Sequence, residues 1–146
     1  MENKSNQPLQ TKELEKLLQE TGSIQVFQDQ LSSQNRIKKL QYYLLELIEF
    51  HKKSPQDILN QANFSKSYYY KIINGEKHPS RDIILQLAIL LNASLEETNL
   101  LLKYAKYAPL YVKDPRDAIL YHGILKNLSL IELNTLLDNE NHLLLD

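Results

Sequence analysis

Four side chains within six residues, Lys66, Ser67, Tyr70 and Lys71, combine donors and positive charge in a stretch that holds no carboxylate. Two ammonium groups supply point-charge donors, a seryl hydroxyl donates or accepts, and a phenol joins a flat apolar ring to a polar tip. Such a set binds polar edges and anions; it does not make or break bonds. Nor does the rest of the chain offer a better catalytic set. His51, His78, His122 and His142 stand far apart, with no H-x-x-x-H spacing, and the absence of Cys removes both a thiolate nucleophile and thiolate metal ligands. There is no glycine-rich phosphate loop and no G-x-S-x-G. Asp114 and Asp117 are the nearest thing to a carboxylate pair, and a helix cap accounts for both. The expectation is a protein that is not an enzyme, with no metal and no cofactor.

The segment Ser54–Ser80 must position these side chains. Ser54 suits a helix N-cap followed by Pro55 at the first helical position, where a missing N–H costs nothing. Ile58, Leu59 and Ala62 then fall at helical spacing. The chain turns at Asn63-Phe64, and Ser65 suits the cap of a second helix. That helix carries Tyr69 and Ile72 on one face and Lys66, Ser67, Tyr70 and Lys71 on another. It ends near Gly75, which suits a left-handed C-terminal cap. A short helix, a short turn and a second helix with an inner apolar stripe form the signature of a helix-turn-helix.

The same run resembles the DNA-binding domain of XRE-type regulators and lambdoid phage repressors. Their pattern is S-Q-x-x-L-A-x-x-x-G-[VL]-S-x-[ST]-x-[IV]-S-x-[IW]-E-x-G-x-x-x-P-[ST]. Ser54, Ile58, Phe64, Ser65, Ser67, Tyr69, Ile72, Gly75, Pro79 and Ser80 match it in kind and spacing. Four positions depart. Asn63 stands in place of the turn glycine, and Asn is the next best residue for a positive φ. Leu59 replaces Ala, Ile73 replaces Glu, and Pro55 replaces a Gln that often touches phosphate.

The resemblance implies a sequence-specific DNA-binding regulator whose recognition helix, about Ser65 to Asn74, enters the major groove of double-stranded DNA. It implies that Lys66, Ser67, Tyr70 and Lys71 face the bases, where Lys can donate to guanine O6 and N7 and Ser to either base type. Tyr70 would meet a thymine methyl or a phosphate. Tyr68 would lie toward the DNA backbone, and Asn74, Lys77, His78 and Arg81 would contact phosphates. Tyr69, Phe64 and Ile72 would be core. Such domains usually pair, so the resemblance also implies a homodimer reading two half-sites one helical turn apart. Domains of this kind also serve as protein-interaction modules, including antitoxins and phage inhibitors. An adaptor with a protein partner on the C-terminal extension is therefore the alternative.

Composition fits this frame. The 146 residues include 3 Gly, 5 Pro and no Cys, with a Leu/Ile-rich apolar set, which points to one all-α domain with appended arms. The net charge of −1 conceals an uneven distribution. From Arg36 to Arg81 nine basic residues face four acidic ones, so that window carries +5 and the remainder −6. No apolar run approaches ~18 residues, and the polar start lacks a signal core. The expected partners therefore exclude a membrane, and the expected location is cytoplasmic.

Residues 1–10 read as disordered and 11–33 as a helical arm, with Leu14, Leu17 and Leu18 and then Ile24, Val26, Phe27 and Leu31 as its apolar positions. The helix-turn-helix domain spans 34–107. It opens with a helix from about Gln34 to Lys53 whose stripe is Ile37, Leu40, Leu44, Leu47 and Ile48, extending to His51. After the motif, a helix from about Arg81 to Asn92 buries Ile84, Leu87, Ala88 and Leu91. A capping box at Ser94–Glu97 opens another to about Tyr107. Residues 108–146 form an extension with helices starting after Asp114 and after Ser129. The fold class expected is all-α: a five-helix repressor-like helix-turn-helix domain with additional N-terminal and C-terminal helices.

Overall fold

A computed structural model describes residues 39–146 together with Lys12 and Lys16, both of which are helical and exposed. The rest of the expected N-terminal arm, the expected disorder over 1–10, and the first turn of the opening helix lie outside the described residues. Seven helices follow one another and no strand occurs among the described residues. They are α1 (Lys39–Phe50), α2 (Pro55–Leu59), α3 (Lys66–Ile73), α4 (Arg81–Leu90), α5 (Leu95–Tyr104), α6 (Pro115–Leu125) and α7 (Leu130–Asn139). The all-helical class expected from the sequence is the class observed.

Local chemistry explains why each helix starts where it does. Ser54, Ser65, Ser80, Ser94, Asp114 and Ser129 are N-caps, each accepting the backbone N–H three residues on. Each such bond satisfies one of the four orphan donors of a helix start, worth about 1 kcal/mol. Asp57, Glu97 and Glu132 return the bond to the cap N–H and complete capping boxes.

The stops are equally regular. Lys52, Gly75, Asn92, Lys106, Asn127 and Asn141 have positive φ, between 54° and 76°. At each, the following residue's N–H reaches back five residues, as in Tyr107 N–H to Leu102 O at 2.8 Å and His142 N–H to Leu137 O at 2.8 Å. This paired pattern is the Schellman motif. Only Gly75 adopts the left-handed conformation without a Cβ penalty; at the others, Asn and Lys carry it.

The core is arranged around α4. Its residues Ile83 to Leu90 are all buried, Gln86 included, so this helix has no solvent face. It packs against α5 on one side and α7 on another, while α5 also packs on α1 and α6. The α1–α5 seam sets the Tyr43 and Tyr104 rings edge-on at 5.3 Å. Burial there, with Glu97 and Glu46 nearby, pushes the Tyr43 phenol up to about 12. His51 Nε2 lies 3.0 Å from Glu97 Oε1 on the same seam. The α6–α7 hairpin closes tightly at Gly123, where a Cβ would run into the buried Leu133 side chain.

The extension shares this core. Arg81 and Asp82 open α4, and Arg116 and Asp117 sit at the start of α6; the two Arg–Asp pairs cross. Arg81 Nη1 and Nη2 donate to the Asp117 carboxylate, both at 2.9 Å. Arg116 donates to Asp82 at 2.9 and 3.0 Å, and also to the carbonyls of Leu143 and Leu144. Beyond α7 the chain runs back over the core. Leu145 is fully buried, and Asn134 brackets its backbone, accepting the Leu145 N–H at 2.8 Å and donating to its carbonyl at 3.3 Å.

Two stability predictions follow from these contacts. Burial alone would raise the Asp117 carboxyl, but Arg81 and the Tyr111 N–H outweigh it and hold it below the usual carboxylate range. A depressed folded value means a contribution fully present above the unfolded value of about 4, lost as pH falls through the folded value. Asp117→Asn should therefore cost about 2–4 kcal/mol at neutral pH. Its deficit against the wild type should shrink at pH 3 in thermal melts followed by circular dichroism. At Lys52, exposed and at φ 55°, Gly should raise stability by roughly 0.5–1 kcal/mol by removing the left-handed strain; a lowered melting temperature would contradict that account.

Candidate nucleic-acid interface

The recognition unit is assembled from α2, the turn Asn60–Ser65 and α3. In α2, Ile58 is fully buried and Leu59 packs partly against the core, as does Ala62 in the turn that follows. Ser65 caps α3 through the Tyr68 N–H at 3.1 Å. On α3, Tyr69 and Ile72 point inward and are buried, as their spacing required. Phe64 is only half-buried, packed beside the core rather than within it. From α1, Gln41 Nε2 donates to the Ile73 carbonyl at 2.9 Å and fixes the end of the helix. An eight-residue helix is too short to persist alone in water, so these anchors hold it.

What α3 leaves outward is the polar and basic set. Lys66, Ser67, Tyr70 and Lys71 are exposed, Tyr70 at 39%. Among the described residues no carboxylate pairs with Lys66 or Lys71. No acid occurs in the sequence between Asp57 and Glu76, so this stretch itself carries only positive charge.

The residues on either side extend the surface. Tyr68 is half-buried, 6.1 Å from the Phe64 ring, and Lys77 Nζ sits 5.8 Å from its ring centroid. Asn74, Lys77 and His78 are exposed. The His78 ring lies 5.6 Å from that of Tyr107, whose hydroxyl donates to the Pro79 carbonyl at 2.7 Å.

Two expectations need correction. Arg81 does not project from this surface as a phosphate ligand would. Its guanidinium is taken up by Asp117 and by the carbonyls of Ala108 and Pro109, because the extension brings a buried carboxylate to it. Asn63 does not adopt a positive φ. It holds the turn by a different means: its N–H donates to Gln86 Oε1 at 2.7 Å, and its side chain donates to the Leu145 carbonyl at 3.2 Å. The turn is thus tied both to the middle of α4 and to the segment after α7.

Sequence reasoning missed Gln86, Asp117, Asn134 and Leu145 as the residues that position this unit. Gln86 had a signal, as the one polar residue in the apolar run Ile83–Leu91. Its Nε2 is buried without a hydrogen-bond partner among the described residues, so its one hydrogen bond is the one its Oε1 accepts from the turn. Among the described residues, no group of three His, Cys, Asp or Glu side chains is placed to hold a metal ion. No described helix is long and apolar enough to cross a membrane.

Comparison with known families agrees with this geometry. A family model described as helix-turn-helix matches residues 60–97, which span the turn, α3, α4 and the first turn of α5. No curated protein and no solved structure matches the chain. The buried Tyr69–Ile72 stripe, the capped α3 and this match together identify a helix-turn-helix within residues 60–97, similar to that of XRE-type domains.

Proposed function

We propose that the protein is a sequence-specific transcriptional regulator that lays α3 in the DNA major groove. The observation that carries the proposal is the outer face of α3: exposed donors, two lysines that pair with no carboxylate among the described residues, and no acid in the helix itself, opposite a face locked into the core. In this reading Lys66, Ser67, Tyr70 and Lys71 read base edges, while Tyr68, Asn74, Lys77 and His78 fix the phosphate backbone. Arg81 acts from behind: it anchors the start of α4, and with it the loop that carries Lys77 and His78.

One such face reads few base pairs, so function calls for two copies on neighbouring half-sites. We infer a homodimer on DNA. A second reading rests on a different observation. Ile131 and Leu143 are 78% and 82% exposed on the extension, and two large apolar side chains in water suit a protein partner there, as an adaptor would require.

Selection from a random duplex library separates the readings. The wild type should enrich a two-half-site sequence, with a salt slope of about four to six phosphate contacts per subunit. Lys66→Ala combined with Lys71→Ala should weaken binding to that sequence by about 30-fold or more, while leaving any partnership through the extension intact. Failure of the wild type to hold any duplex at ~50 mM salt would favour the adaptor. Tight palindrome binding by a species that sediments as a monomer at tens of micromolar would remove the homodimer.

A further inference from the structure

The segment joining α5 to α6 has a composition unlike its surroundings. From Thr98 to Lys113 the chain holds three lysines and no carboxylate, although the residues outside the motif window are acidic overall. The acids that follow are already engaged. Asp114 accepts the Asp117 N–H at 2.9 Å, and Asp117 is buried with Arg81. Lys106 and Lys113 are exposed, and Tyr111 and Val112 between them are 58% and 57% exposed. Lys106 also holds a left-handed position, φ 68°, where Gly or Asn would fit with less strain.

Position gives this composition its meaning. The segment is pinned to the loop that follows α3. Tyr107 stacks near His78 and bonds the Pro79 carbonyl, and Arg81 grips the Ala108 and Pro109 carbonyls. Further along, the Leu110 N–H donates to Asn99 Oδ1 and the Tyr111 N–H to Asp117 Oδ2, each at 3.0 Å. The backbone is therefore set in advance, and presenting its side chains to a ligand costs little ordering. A rigid, acid-free loop with a basic residue at each end borders the proposed DNA face on the side of His78.

We propose that Lys106–Lys113 is a second DNA contact, gripping phosphates on the flank of the site read by α3. Lys106 and Lys113 neutralise two phosphates, and Tyr111 lies against the sugar-phosphate backbone between them. The contact rests on the DNA-binding role of α3 and lengthens its footprint without adding base readout.

The test is a full-length Lys106→Asn/Lys113→Gln variant. Asn tolerates the left-handed backbone at 106, so charge is removed without added strain. Affinity for the duplex selected by the wild type is measured by fluorescence anisotropy across a salt series, alongside a hydroxyl-radical footprint. The variant should select the same sequence and melt at or slightly above the wild-type temperature. Its slope of log affinity against log salt should be about two units shallower, and protection should disappear from the flank alone. Lys113→Gln by itself should give about one unit, which keeps the test open if the double variant is unstable. A wild-type slope and footprint in both variants would overturn this contact while the α3 reading stands. A wild type that binds no duplex would overturn the α3 reading, and the loop contact with it.

Discussion

The crossed pairing of Arg81 with Asp117 and Arg116 with Asp82 is the constraint on which the rest of this structure depends. Ion pairs of this kind contribute little net stability, because desolvation offsets much of the attraction; only Asp117 is buried deeply enough that losing its partner would strand a charge, while Asp82 keeps solvent contact that screens its pair. Their effect is one of placement. Two helix starts, each opening with Arg-Asp, can satisfy both pairs in one relative arrangement, and that arrangement sets α6 on the core. Arg116 then takes the Leu143 and Leu144 carbonyls, and Leu145 reaches its socket. From there Asn63 is held, and with it the turn that aims α3.

This dependence explains how a short recognition helix keeps its geometry. Burying Tyr69 and Ile72 contributes about 1.5–3 kcal/mol each, less than the entropy of ordering eight residues. Further contacts converge on its two ends: Gln41 from α1 at its last residue, and Gln86 with Leu145 at the preceding turn. The helix-turn-helix is therefore not an independent unit to which helices were appended. Its supporting shell includes α4, buried on all sides, and the residues after α7. The outer face of α3 depends on such support, since a small tilt of the helix moves all of its outward donors together.

Much of this was legible in the sequence because much of it is local. Ser-x-x-Glu and Asp-Pro-x-Asp runs announce helix starts within four residues, and each helix start they marked is present. The inward pair Tyr69 and Ile72 followed from a 3.6-residue period, and the left-handed Gly75 from the cost of a Cβ there. What escaped detection depends on partners far along the chain. Asp117 looks like part of a cap until Arg81, 36 residues earlier, is brought to it. Arg81 looks like a phosphate ligand for the same reason. Asn63 was expected to solve its turn by backbone conformation, whereas long-range hydrogen bonds made that unnecessary. The tight α6–α7 approach at Gly123 has no local signature, because it depends on which face of α7 carries Leu133. The surface roles of Lys66, Ser67, Tyr70 and Lys71 rest on pattern and exposure together, since solvent-facing side chains leave no packing to identify them.

The bond from Asn63 to the Leu145 carbonyl spans 82 positions of chain, and this separation orders events in time. A ribosome adds about 5–20 residues per second, so the turn between α2 and α3 waits several seconds after leaving the exit tunnel before its final partner exists. During that interval α2, α3 and α4 can meet, but the turn lacks its last anchor and Gln86 alone holds it. Contacts of such long range slow folding, and here the delay falls on the part of the molecule that would touch DNA. The turn that leads into α3 thus gains its final anchor only after the residues following α7 have been made.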